Sequence, residues 1–252
     1  MGWDHREVTV GDARDAAGLV ARGVCDAVGE SVKSVLLHGS LAAGGFRPGW
    51  SDIDLLVVVD RQLTDAEAEG VERVVRDAGV GSAAGIDLHV VTAAVAAAPG
   101  REPALELHVG RYGQGEVEVE RAVGAYPDLL AELSMARDDG RALAGAAPRD
   151  VLAPVPAEWV VDRGRHWLAV WRSLTDDTEH AAFMVLTACR IWQFAVEHEH
   201  RSKAQAARWV LDRRPALTAV HQALLQHEQG TATVIDERGI AELLDLVLRE
   251  TG

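Results

Sequence analysis

Two carboxylates at the head of an apolar run constrain this chain more than any other feature. In Ser51-Asp52-Ile53-Asp54-Leu55-Leu56-Val57-Val58-Val59, the run from Ile53 to Val59 is broken only by Asp54 and has the character of a buried strand. Side chains two apart on a strand share a face, so Asp52 and Asp54 point the same way. Like charges held that close stay ionised only beside a counter-charge, and a divalent cation supplies one. Magnesium suits the pair, because it takes one or two carboxylates together with substrate phosphates. A bare Asp-x-Asp at a strand end is usually a solvated loop edge. Here it follows Val35-Leu36-Leu37-His38-Gly39-Ser40, a short apolar run ending in a phosphate-sized turn, across the glycine-rich loop Gly44-Gly45-Phe46-Arg47-Pro48-Gly49.

A third carboxylate is available downstream. In Ile86-Asp87-Leu88-His89-Val90-Val91, Asp87 and His89 share one face of a predicted strand, while Ile86, Leu88 and Val90 share the other. The ordinary alternative is an edge-strand aspartate facing water. Taken together, the Gly-Ser turn, the loop and Ser-Asp-Ile-Asp leading an apolar strand resemble the nucleotidyltransferase superfamily of the DNA polymerase β type. That resemblance implies that Gly39 and Ser40 grip a triphosphate and that Asp52 and Asp54 bind metal. It also implies that Asp87 completes the set from a neighbouring strand.

Bulk properties narrow the class. A chain of 252 residues, 48% hydrophobic and 25% charged, can bury a core and make one or two domains. No apolar run approaches the roughly 20 residues of a membrane span, and Met1-Gly2-Trp3-Asp4-His5-Arg6-Glu7 lacks a signal-peptide core, so a cytoplasmic location and no membrane partner are expected. Cys25 and Cys189 are far apart, offer no metal-ligand spacing, and read as buried thiols. A net charge of −14 argues against a nucleic-acid partner, whose phosphates call for a basic face. It suits a small polycationic acceptor steered by the field, and it is equally an ordinary solubility feature.

The pattern along the chain divides it into an α/β front and a helical back. Helix is expected over Asp12 to Val28 and from the capping box Thr64-Asp65-Ala66-Glu67 to about Asp77. Residues 92 to 103 read as a loop. Leu105-Glu106-Leu107-His108-Val109 and Val117-Glu118-Val119-Glu120 alternate as exposed strands do, and a helix is expected from about Asp128 to Leu143. Gly145 to Pro156, with three prolines, reads as a linker, and everything beyond it is helical in pattern. The expected division is a catalytic α/β (α+β) domain over 1–148 and an all-α bundle over 149–252.

The helical half carries its own signals. Trp167 and Trp171, four apart, share a helix face, as core residues usually do. Ser202-Lys203-Ala204-Gln205 is a capping box that puts Lys203 in a first helical turn. A cation there opposes the helix dipole, which suggests placement for an anionic ligand.

With the front motif, the helix Val185-Leu186-Thr187-Ala188-Cys189-Arg190-Ile191-Trp192, the Lys203 helix and the Pro-Val-Pro linker are similar to the aminoglycoside (3'')(9) adenylyltransferases, which modify streptomycin and spectinomycin. The similarity covers roughly residues 20 to 230. It implies magnesium-dependent transfer of AMP from ATP to a hydroxyl of a cationic aminoglycoside-type antibiotic, by a monomer that binds ATP and drug between its domains. Arg190 and Lys203 would then contact ATP, Asp87 would be the general base as well as a third metal carboxylate, and Tyr112, Asp176 and Asp177 would face the drug. Three departures stand out. The family's third carboxylate is typically Glu, one methylene longer than Asp87. Tyr112, in Val109-Gly110-Arg111-Tyr112, replaces a tryptophan of streptomycin-competent members and offers less stacking area. Asp176, Asp177 and Glu179 align loosely. Two other readings stay open: a nucleotidyltransferase that modifies a protein, as toxin–antitoxin types do, and a non-catalytic nucleotide-binding regulator.

Overall fold

A computed structural model of the chain describes residues 5–113, 115–230 and 234–252, apart from the side chains of 5–9 and 116. Met1 to Asp4, part of the stretch read above for a leader, lies outside the described residues. No helix among the described residues is long and apolar enough to cross a membrane. The chain separates into two units, 1–155 and 156–252.

The first unit is built on a six-stranded sheet. Its strands are β1 (Val32–His38), β2 (Ile53–Val59), β3 (Gly85–Thr92), β4 (Leu105–Tyr112), β5 (Glu116–Val123) and β6 (Arg141–Gly145), in the order β5-β4-β3-β2-β1-β6. β2 and β3 run parallel, and every other neighbouring pair is antiparallel. The parallel pair needs a crossover, which α3 (Asp65–Asp77) supplies. The Thr64 capping box opens α3 as expected, with the Glu67 carboxylate accepting from Thr64 N–H at 2.8 Å.

Alternation along the strands sorts the two faces. Val35, Leu37, Leu55, Val57, Leu88 and Val90 pack with α1 (His5–Val28) and α3 on one face. Leu36, Leu56, Val58 and Val91 pack on the other with Leu129 and Leu133 of α5 (Leu129–Asp139). The carboxylate-bearing ends of β2 and β3 belong to this second face, since Asp54 and Leu56 are two apart.

Four expectations change. The segment 92–103 is not all loop, because Thr92 caps a short helix, α4 (Ala93–Ala97). The helix expected to reach Leu143 ends at Asp139, where Gly140 turns the chain into β6 alongside β1. Gly145 to Pro156 contains a one-turn helix, α6 (Pro148–Val151), started by its proline. β4 is an interior strand, with Leu105, Leu107, His108, Val109 and Gly110 all buried. A histidine among apolar residues there imitates the alternation of an exposed strand.

The second unit is helical throughout, as expected: α7 (Ala157–Trp171), α8 (Ala181–Glu197), α9 (Lys203–Arg213), α10 (Thr218–Gln229) and α11 (Glu237–Glu250). α8 is central to its core, contributing Val185, Leu186, Cys189 and Trp192, and Trp192 meets Trp209 of α9 edge to face at 5.7 Å. Trp167 and Trp171 stack at 6.0 Å and are half-buried; Trp171 packs against the edge of this core, whose buried tryptophans are Trp192 and Trp209.

Candidate active site

Register brings the three expected site carboxylates, Asp52, Asp54 and Asp87, to one end of one sheet face. In the parallel β2–β3 pair Asp54 stands opposite Asp87, and Ile53 opposite Ile86. Asp52 immediately precedes β2, two residues from Asp54 and so on the same face. Glycines clear the space they occupy. A Cβ on Gly39 would lie 1.9 Å from Asp54 Oδ2, and one on Gly85 2.8 Å from Asp52 Oδ1. Gly39 also has φ +64°, a left-handed conformation that side chains disfavour. Both demands fall on the residue that opens α2 (Gly39–Ala43), where the chain turns from β1 past Asp54 into Ser40.

Asp87 is held from β4. His108 Nε2 lies 2.7 Å from Asp87 Oδ1, and the Tyr112 hydroxyl donates to the same oxygen at 3.2 Å. Tyr112 reaches back over Gly110, whose absent side chain admits the ring: a Cβ there would come within 2.5 Å of it. The second ring nitrogen of His108, Nδ1, lies 3.2 Å from Glu120 Oε2 on β5. Ionised carboxylates only accept, so both contacts are satisfied at once only by a doubly protonated His108.

The electrostatics agree. Burial opposes charge on both partners, yet the Asp87 bond and the Asp87 and Glu120 charges hold His108 above its ordinary pKa. Asp87 is held below the usual carboxylate range, because the His108 bond and the nearby rings outweigh its burial. Burial, followed by the Asp87 charge, raises Tyr112, which therefore stays a neutral donor.

Behind this trio lie two histidines that burial keeps neutral. His89 stacks on His108 at 4.6 Å, and its Nδ1 makes no hydrogen bond. His38, opposite Asp54 across the β1–β2 pair, makes none at either nitrogen, although Glu132 Oε2 lies 3.5 Å from Nδ1. Burial and repulsion from His89 push His38 down to about 3, against the pull of Asp87. A two-residue alternation marks Asp87 and His89 as face-mates. The roles of His108 and Glu120 depend on β4 and β5 pairing and are not visible in either segment alone.

The remaining expected residues lie in the second unit. Ser202 and Gln205 form the capping box of α9, with the Gln205 side chain accepting from Ser202 N–H at 3.0 Å. Lys203 follows in the first turn, its ammonium 5.0 Å from the centre of the Phe183 ring. Phe183 and Arg190 are seven apart on α8 and share a helix face. Asp176 and Asp177 lie in the turn between α7 and α8. Asp176 is exposed, whereas Asp177 accepts from His180 Nδ1 at 2.8 Å and from the backbone N–H groups of Glu179 and His180.

Both units of the chain match described protein families. The family described as "Nucleotidyltransferase domain" matches residues 19–131, and "Aminoglycoside adenylyltransferase, C-terminal domain" matches residues 150–243. A spectinomycin 9-adenylyltransferase of Staphylococcus aureus is 30% identical over 213 residues, 80% of this chain and 78% of that protein. An aminoglycoside (3'') (9) adenylyltransferase of Klebsiella pneumoniae is 29% identical over 216 residues, 81% of this chain and 82% of its own length. The crystal structure of spectinomycin adenyltransferase AAD(9) from Enterococcus faecialis, with ATP and spectinomycin, covers 95% of this chain and 99% of that one at a TM-score of 0.74 and 17% identity, which shows a shared fold. Three carboxylates gathered on a nucleotidyltransferase sheet and two matched halves lead to one assignment: the chain is a nucleotidyltransferase and belongs to the family of spectinomycin 9- and aminoglycoside (3'')(9) adenylyltransferases.

Proposed function

We propose that the chain transfers AMP from ATP to a hydroxyl of an aminoglycoside-class antibiotic, with spectinomycin preferred over streptomycin. The observation that carries this reading is the register of Asp54 beside Asp87, with Asp52 on the same face. Two carboxylates at glycine-cleared positions form an all-oxygen set that fits magnesium, so Asp52 and Asp54 would hold it, with Asp87 within reach as a third carboxylate. The ion, when bound, offsets charge on the phosphates and on the departing pyrophosphate.

The chain's own groups account for the rest. Gly39 and Ser40 present backbone to the triphosphate, and Lys203 and Arg190 supply cationic contacts to ATP. The drug oxygen attacks the α-phosphorus in line, the bond from that phosphorus to the bridging oxygen breaks, and pyrophosphate leaves with the electron pair. Asp87 takes the hydroxyl proton. It is ionised and ready, but its lowered pKa makes it a weak base, so the proton moves as the oxygen becomes acidic on bonding to phosphorus. His108 and Tyr112 fix the carboxylate by its Oδ1, which leaves Oδ2 to meet the acceptor.

The preference for spectinomycin follows from Tyr112, which has less area than a tryptophan to stack on streptomycin and whose hydroxyl is engaged by Asp87. Asp176, Asp177 and the net charge of −14 favour a cationic acceptor. Susceptibility testing of a host expressing the chain is the check. Resistance to spectinomycin exceeding that to streptomycin is expected, and streptomycin resistance alone would overturn the ranking.

A further inference from the structure

Register sets three polar side chains in a row beside Asp87. His89 on β3 stands opposite His108 on β4, and His108 stands opposite Glu120 on β5. Cross-strand partners share a sheet face, and His89 is two residues from Asp87, so the row lies on the face that carries the site. His108 spans from one carboxylate to the other, with Nε2 at 2.7 Å from Asp87 Oδ1 and Nδ1 at 3.2 Å from Glu120 Oε2. Glu120 is itself held. The Tyr126 hydroxyl hydrogen-bonds it, and burial, followed by the Glu120 charge, keeps that phenol a neutral donor. Tyr126 is anchored in turn by its backbone N–H, which donates to the Pro103 carbonyl at 2.8 Å.

An imidazole bonded at one nitrogen is a loose support. Its ring torsion is broad and roughly two-fold, so a single bond at Nε2 lets the ring swing and carry Asp87 Oδ1 with it. Glu120 closes the other end, and His89, stacked at 4.6 Å, covers one face. We propose that Glu120, backed by Tyr126, is a positioning residue for AMP transfer: acting through His108, it holds Asp87 Oδ1 in place and keeps Oδ2 aimed at the acceptor hydroxyl. This role rests on the base role of Asp87 proposed above. Glu120 acts only through His108, so its loss falls on the chemical step and leaves the affinities for ATP and drug unchanged.

The Glu120 side chain is 46% exposed, so substitutions there are mild for the fold. Glu120→Ala should lower kcat about tenfold to a hundredfold, as for a catalytic group displaced by up to about 1 Å, with calorimetric ATP affinity and the drug KM kept. Glu120→Gln retains an acceptor oxygen at the same reach and should restore most of that rate. Glu118→Ala removes an equal charge from the same face of β5, but no bond to His108, and should keep the wild-type kcat. A double-mutant cycle adds a readout that a general structural role would not move. In a His108→Gln background, whose amide can reach Asp87 but has no second nitrogen for Glu120, Glu120→Ala should cost nothing further. The Glu120 variants decide the matter even if His108→Gln fails to fold. A wild-type kcat in Glu120→Ala, a glutamine variant as slow as the alanine, an equal loss in Glu118→Ala, an effect confined to KM, or the same loss in both backgrounds overturns the role. Asp87→Asn tests the base reading separately: if that variant is slow while Glu120→Ala is not, the positioning role alone falls.

Discussion

Replacing Gly39 with alanine tests whether the placement of Asp54 controls turnover. The alanine Cβ would sit 1.9 Å from Asp54 Oδ2, so the carboxylate must retreat by about 1.5 Å to an ordinary contact. The left-handed backbone at φ +64° adds a strain of about 1–2 kcal/mol. Gly29 separates the two effects: its φ is +72°, with nothing within 4 Å of an added Cβ. Gly29→Ala therefore carries the strain without the collision. Both variants are expected to lose about 1–2 kcal/mol in urea unfolding, since Asp54 is partly exposed and can move aside. Their activities should part company. A displacement of about 1 Å in a catalytic group costs on the order of 10²-fold, so pyrophosphate release by Gly39→Ala should fall at least that far while Gly29→Ala stays near wild type. Equal turnover in the two variants would refute the claim that Gly39 is a glycine for the sake of Asp54.

Other perturbations act on separate parts of the account. Asp87→Asn should lower kcat by about 10²–10⁴-fold while ATP binding by calorimetry is kept, because the amide preserves shape but cannot take a proton; wild-type turnover would end the base assignment. Lys203→Ala should weaken ATP by about tenfold to a hundredfold, or about 1.5–3 kcal/mol, and unchanged calorimetric binding would leave Lys203 merely resting on Phe183. Acid should destabilise the first unit through His38. The unfolded chain takes that proton near 6.5 and the folded chain resists it to about 3, so the contribution is complete above pH 6.5 and drains as pH falls toward 3. Between pH 7 and pH 5 this amounts to about 2 kcal/mol, which should be absent from the difference in unfolding energies of His38→Gln; parallel pH dependences would contradict it.

What the sequence disclosed follows from the range of the forces involved. Asp52, Asp54, Gly39 and the Thr64 and Ser202 caps are local patterns, written within a few residues and legible there. β6 was hidden because Arg141 to Gly145 is short and mostly exposed and gains its identity only by pairing with β1. β4 reads as exposed for the opposite reason: His108 looks polar in sequence, but Asp87 and Glu120 satisfy both of its nitrogens and allow it to be buried. The same long-range pairing puts Tyr112 on Asp87, a contact that the stacking role expected of its ring did not anticipate. The tryptophan pair at 167 and 171 obeyed helical spacing, yet spacing names a face without saying how deeply it is buried.

The most direct measurement combines product mass with stoichiometry. The purified chain is incubated with ATP, magnesium and spectinomycin, and the mixture is analysed by mass spectrometry beside a pyrophosphate assay. The account predicts drug carrying one AMP, one pyrophosphate released per drug modified, and neither from Asp52→Asn or Asp54→Asn. ATP hydrolysed without an adduct, or an adduct formed at full rate by either variant, would contradict it.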